Sequence, residues 1–435
     1  MAAHVLCVTP ADALIDVPRS IRVERLAPGQ PVTVAASTRR SGVQWRSEAS
    51  FEAGADGVVD TARDAPVSGS YSGASGMGLV WSQAPVGSKS RELFNQPVAE
   101  PLVTEITASA GGAQARATLV QRLAADGVTR RELREDGLVG TLYLPPGPGP
   151  HPAVMVLNGS GGGINEPRAA LYASRGFAAL ALAYFKAPGL SDYISNTPLE
   201  YFQKGLQWIR REVRPLHDFV AVSGQSRGGE LVLLLGATFA RQVSAVVAYV
   251  PSAFVHSGQN ACDPKIGREG PTWLLNGKPL AHLWENNRTA SWAPFDEGPE
   301  PHRHERAIRT ALQDPGALAR ARIPVEAIEG PVMLLSGTDD GSWPSSVFSR
   351  MVRDKLAEVR HPHDVQWLDF ENAGHAILFP CVPTTQLVYA HPVSGKVSTG
   401  GGNPADNARA DEQSWAGVLQ FLRDAVAARG ASQPS

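Results

Sequence analysis

Over roughly the first 130 residues, apolar and polar positions alternate with period two in short runs. Examples are Ser20–Leu26, Pro31–Ser37, Val43–Ala53, Met77–Gln83 and Leu102–Ala110. Turn-forming clusters such as APGQP, AGADG and SGASG separate them. Regularly spaced short strands with Gly, Pro and Asp punctuation predict an immunoglobulin-like β-sandwich. This N-terminal all-β domain is assigned residues 1–135. No catalytic constellation is legible in it.

Beyond that point the periodicity changes. Largely apolar runs, AVMVLNG, FAALALAYF, FVAVSG, VSAVVAYV and GPVMLLSG, together with the more polar DVQWLDF, alternate with helical patterns. Those patterns are EPRAALYASRG, LEYFQKGLQWIRREV, RGGELVLLLGATFA and a closing DEQSWAGVLQFLRDAVAA. Apolar strands alternating with amphipathic helices predict an α/β domain, its mostly parallel sheet covered on both faces. It is assigned residues 136–430, and the Pro/Gly cluster Pro145–Pro152 is read as a stiff turn between two of its strands. At about 252–327 the alternation breaks in a stretch carrying Trp273, Trp284 and Trp292. That stretch is too long for an ordinary connection and reads as a lid whose three tryptophans face substrate.

Composition narrows the function classes. With 435 residues and a net charge of -2, there is no electrostatic argument for nucleic acid or an anionic membrane as partner. No run of some 18 apolar residues occurs, so no membrane span is expected. The N-terminus lacks a basic, apolar leader, and the three widely spaced cysteines, Cys7, Cys262 and Cys381, fit a reduced compartment. A cytoplasmic location is the expectation. Arg-dominated basic residues and abundant Ala, Gly and Pro suggest a GC-rich bacterial source.

Candidate chemistry centres on Gly224-Gln225-Ser226-Arg227-Gly228, which lies between a predicted strand and a predicted helix. This is the G-x-S-x-G pattern of a nucleophile elbow, where small flanking residues permit a strained serine at a helix N-terminus. A serine hydroxyl needs a base, and the base an orienting carboxylate. Past GPVMLLSG come Asp339 and Asp340; counting from Gly337 to Pro344 selects Asp340, with Asp339 read as a capping residue. Past VQWLDF comes His375, the one histidine of eleven that follows a predicted sheet strand in a glycine-bearing turn downstream of the acid. The expected triad is Ser226, Asp340 and His375. Oxyanion donors are expected from the N–H of Arg227 and from the glycine loop Asn158–Gly163, at Ser160 or Gly161. The His302/His304 and His361/His363 pairs lack a convincing third ligand, so no metal is expected, and the mechanism calls for no cofactor.

With these residues assembled, the chain resembles the acyl-CoA thioesterase and bile acid-CoA:amino acid N-acyltransferase family over nearly its full length. LAPGQPVTVAAS, GSYSGASGMGLVWS, GTLYLPPGPGPHPAVM, GSGGGINEPRAALYASRGFAALALAYF, GQSRGGELVLLLGA, SGTDDGSWPS, NAGHAI and GGGNPADNARADEQSW carry the likeness. It implies an α/β hydrolase behind the sandwich, acting on acyl-CoA or carrier-protein-bound acyl thioesters through the same three residues. The N-acyltransferase branch has cysteine where this chain has Ser226. An acyl-cysteine is a thioester that reacts well with amines and an acyl-serine ester less so, which favours hydrolysis. Alternatives are transfer or cyclisation onto an amine or hydroxyl in secondary metabolism, hydrolysis of oxygen esters, and a catalytically dead binding module. The chain ends in ASQPS, without a peroxisomal tripeptide.

Overall fold

A computed structural model describes residues 4–87 and 97–432. Of the terminal stretches read above for targeting, residues 1–3 and 433–435 lie outside the described residues. The chain divides into two compact units. One comprises Met1–Ala125, Leu378–Tyr389 and Asn403–Glu412; the other comprises Asp126–Ile377, Ala390–Gly402 and Gln413–Ser435.

The first unit is a β-sandwich. Val5–Thr9, Ser20–Glu24 and Val59–Asp60 form one antiparallel sheet. Asp12–Leu14, Ala113–Arg122, Leu102–Ala110, Pro31–Arg40, Val43–Glu52 and Ser68–Gly69 lie in that order in the other, with Ala84–Pro85 added beside Val43–Glu52. Pro31–Arg40 buries every second side chain, as a strand facing a core on one side must. Ile21, Val34, Phe51, Ile106 and Leu119 meet in the core between the sheets. Met77–Gln83, expected as a strand, instead contains a single helical turn, Gly78–Trp81. All four of its residues are buried, so the alternation that a half-exposed strand needs is missing.

The second unit is built on one eight-stranded sheet. Its strands are β1 (Thr129–Leu133), β2 (Val139–Leu144), β3 (Ala153–Leu157), β4 (Ala178–Ala183), β5 (Val220–Gln225), β6 (Ala245–Tyr249), β7 (Val332–Gly337) and β8 (Val365–Phe370). They lie in the order 1-2-4-3-5-6-7-8. The pairs β1–β2 and β2–β4 are antiparallel and all others parallel. β1 comes from the stretch assigned by sequence to the sandwich; it pairs with β2 along its whole length, from Thr129 opposite Leu144 to Leu133 opposite Gly140, and Leu133 is its one buried residue. The crossovers carry helices α1 (Glu166–Ser174), α2 (Leu199–Glu212), α3 (Arg227–Thr238) and α4 (Ser345–Glu358), and α5 (Pro404–Ala431) follows β8. Strands β3, β4, β6 and β7 are buried throughout, as expected of parallel strands with both faces covered. This is the α/β-hydrolase fold.

The stretch expected as a lid is part of the body of this unit. Trp273, Leu283, Trp284, Phe295, Ile308 and Ile323 belong to the same apolar cluster as the sheet residues Val222 and Leu334. Trp273–Leu275 pairs with Thr197–Pro198, just ahead of α2.

Candidate active site

The turn between β5 and α3 is strained where the serine sits. Ser226 has φ 59° and ψ −119°, outside the regions L-residues ordinarily occupy. Hydrogen bonds hold it there: its N–H donates to Tyr249 O on β6 at 2.9 Å, and its carbonyl accepts Glu230 N–H at 3.0 Å. Gly228 cannot carry a side chain, because a Cβ would lie 2.6 Å from Asn158 O and 2.8 Å from Leu157 O. The absence of a side chain there is what lets the loop after β3 close against the elbow.

Ser226 Oγ stands 2.7 Å from His375 Nε2. On the other edge of the ring, His375 Nδ1 lies 2.8 Å from Asp340 Oδ2. The second carboxylate oxygen, Asp340 Oδ1, accepts Ser342 N–H at 2.8 Å and Trp343 N–H at 3.2 Å, which fixes its plane. Asp340 is 4 % and His375 7 % exposed, so the chain of hydrogen bonds runs through low-dielectric interior to a half-exposed serine. Asp339 points elsewhere: its carboxylate meets Arg303 Nη2 at 2.9 Å and accepts Gly402 N–H at 2.9 Å. The carboxylate selected by counting is therefore the one beside the histidine.

Of the expected oxyanion donors, Arg227 begins α3, where the first N–H groups have no intrahelical acceptor. In the loop after β3 it is Gly159 that abuts the elbow. A Cβ on it would be 3.3 Å from Ser226 Cβ and 3.9 Å from Arg227 N. Within the loop, Gly159 N–H donates to Asn158 Oδ1, Gly162 N–H to Gly159 O and Gly163 N–H to Phe185 O. The N–H groups of Ser160 and Gly161 have no acceptor among the described residues.

The three tryptophans expected to face substrate are interior. Trp273 is fully buried and donates its indole N–H to Glu230 Oε1 at 2.8 Å. Trp284 and Trp292 stack on each other, ring centroids 4.0 Å apart, and Trp292 stacks in turn on His304. Large aromatic rings bury so much area that packing claims them first. The tryptophan beside the triad is Trp343, whose ring meets His375 edge-on at 5.8 Å; no sequence signal marked it beyond its place after Asp340.

Sequence reasoning also missed a buried network behind the elbow. Arg227 Nη1 donates to Glu230 Oε2 at 2.8 Å, and Nη2 donates to Ser257 O at 2.8 Å and Gln259 Oε1 at 3.1 Å. Glu230 also accepts His256 N–H at 3.2 Å. Burial raises the Glu230 carboxyl above its usual range, while Arg227 and the hydrogen bonds oppose that rise. Burial likewise lowers His256 and His282, and holds His304 at about 3, so these rings are neutral at pH 7. His304 Nδ1 donates to Ser342 O at 3.0 Å, and His361 Nε2 lies 2.9 Å from Gly330 O. Among the described residues, no group of three or more His, Cys, Asp or Glu could hold a metal ion. Nor is any helix among them long and apolar enough to cross a membrane.

Comparison with known proteins gives a full-length likeness. Residues 197–428 match the family model described as BAAT / acyl-CoA thioester hydrolase C terminal, and residues 16–135 match that of the acyl-CoA thioester hydrolase/BAAT N-terminal region. Acyl-coenzyme A thioesterase 6 of Mus musculus is 32 % identical over 441 residues, covering 97 % of this chain and 96 % of that one. Mitochondrial acyl-coenzyme A thioesterase 2 of Rattus norvegicus is 31 % identical over 416 residues, covering 94 % and 86 %. Peroxisomal succinyl-coenzyme A thioesterase of Mus musculus is 30 % identical over 419 residues, covering 94 % and 93 %.

Proposed function

We propose, from the premise that this chain belongs to the BAAT/acyl-CoA thioester hydrolase family, that it hydrolyses acyl-CoA-type thioesters through an acyl-Ser226 intermediate. The observation that carries the reading is the unbroken run from Asp340 through His375 to Ser226, at 2.8 Å and 2.7 Å. The names of the relatives, all acyl-coenzyme A thioesterases, supply the substrate class.

In this reading His375 takes the Ser226 proton as Oγ attacks the thioester carbonyl, and Asp340 orients the ring and stabilises the imidazolium. The negative oxygen of the tetrahedral intermediate is held by the N–H of Arg227 and by those of Ser160 or Gly161. The thiol leaves with the proton from His375. The same histidine then removes a proton from water, which cleaves the acyl-serine ester to free acid and Ser226. Water is the acceptor because an oxygen ester at Ser226 is less prone to aminolysis than a cysteine thioester would be.

The test is product analysis. Acyl-CoAs of several chain lengths and polarities are incubated with the protein, with and without amines, and the products identified by mass. Free acid and thiol in equal amounts, unaffected by amine, support hydrolysis. Amide formation at the expense of acid would make the protein a transferase, and turnover of oxygen esters alone would make it an esterase.

A further inference from the structure

Between β8 and α5 the chain makes a turn at residues 392–394, ahead of the short strand Val397–Thr399, and touches the site. The segment 390–402 reaches both halves of the catalytic machinery. At its far end Gly400 O accepts the backbone N–H of His375 at 2.8 Å and of Gly341 at 2.9 Å. In the turn, Pro392 O accepts Lys186 Nζ at 2.6 Å, and Lys396 pairs with Asp296. His391 Nε2 lies 2.9 Å from Ser160 Oγ, in the loop that abuts the nucleophile.

The direction of that last hydrogen bond follows from the other ring nitrogen. His391 Nδ1 accepts the backbone N–H of Val393 at 3.2 Å and of Ser394 at 3.4 Å. A nitrogen that accepts carries no proton, so the neutral ring has its proton on Nε2 and donates it to Ser160 Oγ. Ser160 thus spends a lone pair on His391 and keeps its own O–H proton. That proton has no acceptor among the described residues, and a hydroxyl that accepts a hydrogen bond is a stronger donor for it. The preceding residue, Gly159, is the one whose Cβ would fall 3.3 Å from Ser226 Cβ.

We infer that the Ser160 hydroxyl is a side-chain donor to the oxyanion formed at Ser226, and that His391 is the positioning residue that holds it for this role. The inference rests on the reading of Ser226 as the nucleophile and adds a donor to the backbone N–H groups. Ground-state binding of the acyl chain does not call on it, so its loss falls on kcat.

The experiment compares wild type with Ser160→Ala, His391→Leu, the double variant and His391→Gln, which keeps an N–H donor. Two quantities are read: kcat and KM on an acyl-CoA or p-nitrophenyl ester, and the rate constant for phosphonylation of Ser226 by a fluorophosphonate, whose phosphoryl oxygen occupies the same position. Ser160→Ala and His391→Leu each lower kcat and the phosphonylation rate about 10- to 100-fold with KM nearly unchanged. The double variant falls no further than Ser160→Ala, and His391→Gln recovers most of the loss. Unchanged rates in Ser160→Ala, a change in KM alone, or additive losses in the double variant would overturn the proposal. A wild type that cleaves esters but no thioester refutes the thioester reading and leaves the phosphonylation comparison intact.

Discussion

Glu230 Oε1 accepts the indole N–H of Trp273 at 2.8 Å, while the other oxygen of the same carboxylate pairs with Arg227 at 2.8 Å. One fully buried glutamate on α3 thereby fastens the residue after the nucleophile to the stretch that follows β6. Removing it leaves a buried guanidinium without its counter-charge. Glu230→Ala is expected to lose about 3–5 kcal/mol of stability, and Trp273→Phe, which leaves Oε1 only the longer bond from His256 N–H, about 1 kcal/mol. Urea unfolding monitored by tryptophan fluorescence measures both; equal midpoints for wild type and Glu230→Ala would show that the network holds nothing.

The two adjacent aspartates separate cleanly. Asp340→Asn leaves His375 without the carboxylate that selects its tautomer, and kcat is expected to fall by about 10⁴. Asp339 pairs with Arg303 and is half exposed, so Asp339→Asn is expected to stay within about fivefold of wild type. Steady-state rates for the two variants decide it, and a larger loss in Asp339→Asn would reverse the assignment.

Much of this site can be read in the sequence because each triad residue sits in a local signal. The elbow glycines, the Asp340 count from Gly337 and the Asn-Ala-Gly turn before His375 are features of a few residues each. What could not be read depends on distant partners. Glu230 in the first turn of a helix looks like an ordinary dipole-stabilising residue; only the fold brings Trp273 to it. The tryptophans of the expected lid carry no mark that tells a packed ring from one facing a ligand, and burial won. The contact between His391 and Ser160 spans 231 positions, joining two loops whose patterns carry no signal for each other. The sandwich was legible by alternation, except at Gly78–Trp81, where a helical turn interrupts it.

Gly228 tests how tightly the loop after β3 must close. In Gly228→Ala the new methyl meets the carbonyl oxygens of Asn158 and Leu157, both backbone atoms that can yield only by moving the loop. A displacement of about 1 Å there is expected to cost on the order of 100-fold in kcat/KM. The check is kinetic, with circular dichroism as the control for folding; full activity in a folded Gly228→Ala would mean that the loop does not contribute to the site.

His304 makes stability depend on pH. Burial depresses its pKa from 6.5 to about 3, so the folded chain keeps the ring neutral where the unfolded chain would protonate it. Between those values the unfolded state binds more protons, and stability falls as pH falls from 6.5 towards 3. The slope reaches about 1.4 kcal/mol per pH unit. In His304→Gln this contribution disappears, so the variant's stability should decline less steeply on acidification than that of wild type. Urea unfolding of both proteins at several pH values between about 7 and 5 gives the comparison; parallel declines would remove His304 as the cause.

The most direct measurement is thiol release from an acyl-CoA by wild type and Ser226→Ala, with the mass of the acid-quenched protein recorded in parallel. Wild type should release thiol and show a mass increase equal to the acyl group on the peptide carrying Ser226. Ser226→Ala should lose at least about 10⁴-fold in kcat and show no such increase. Thiol release by Ser226→Ala at a rate near that of wild type would contradict an acyl-Ser226 mechanism.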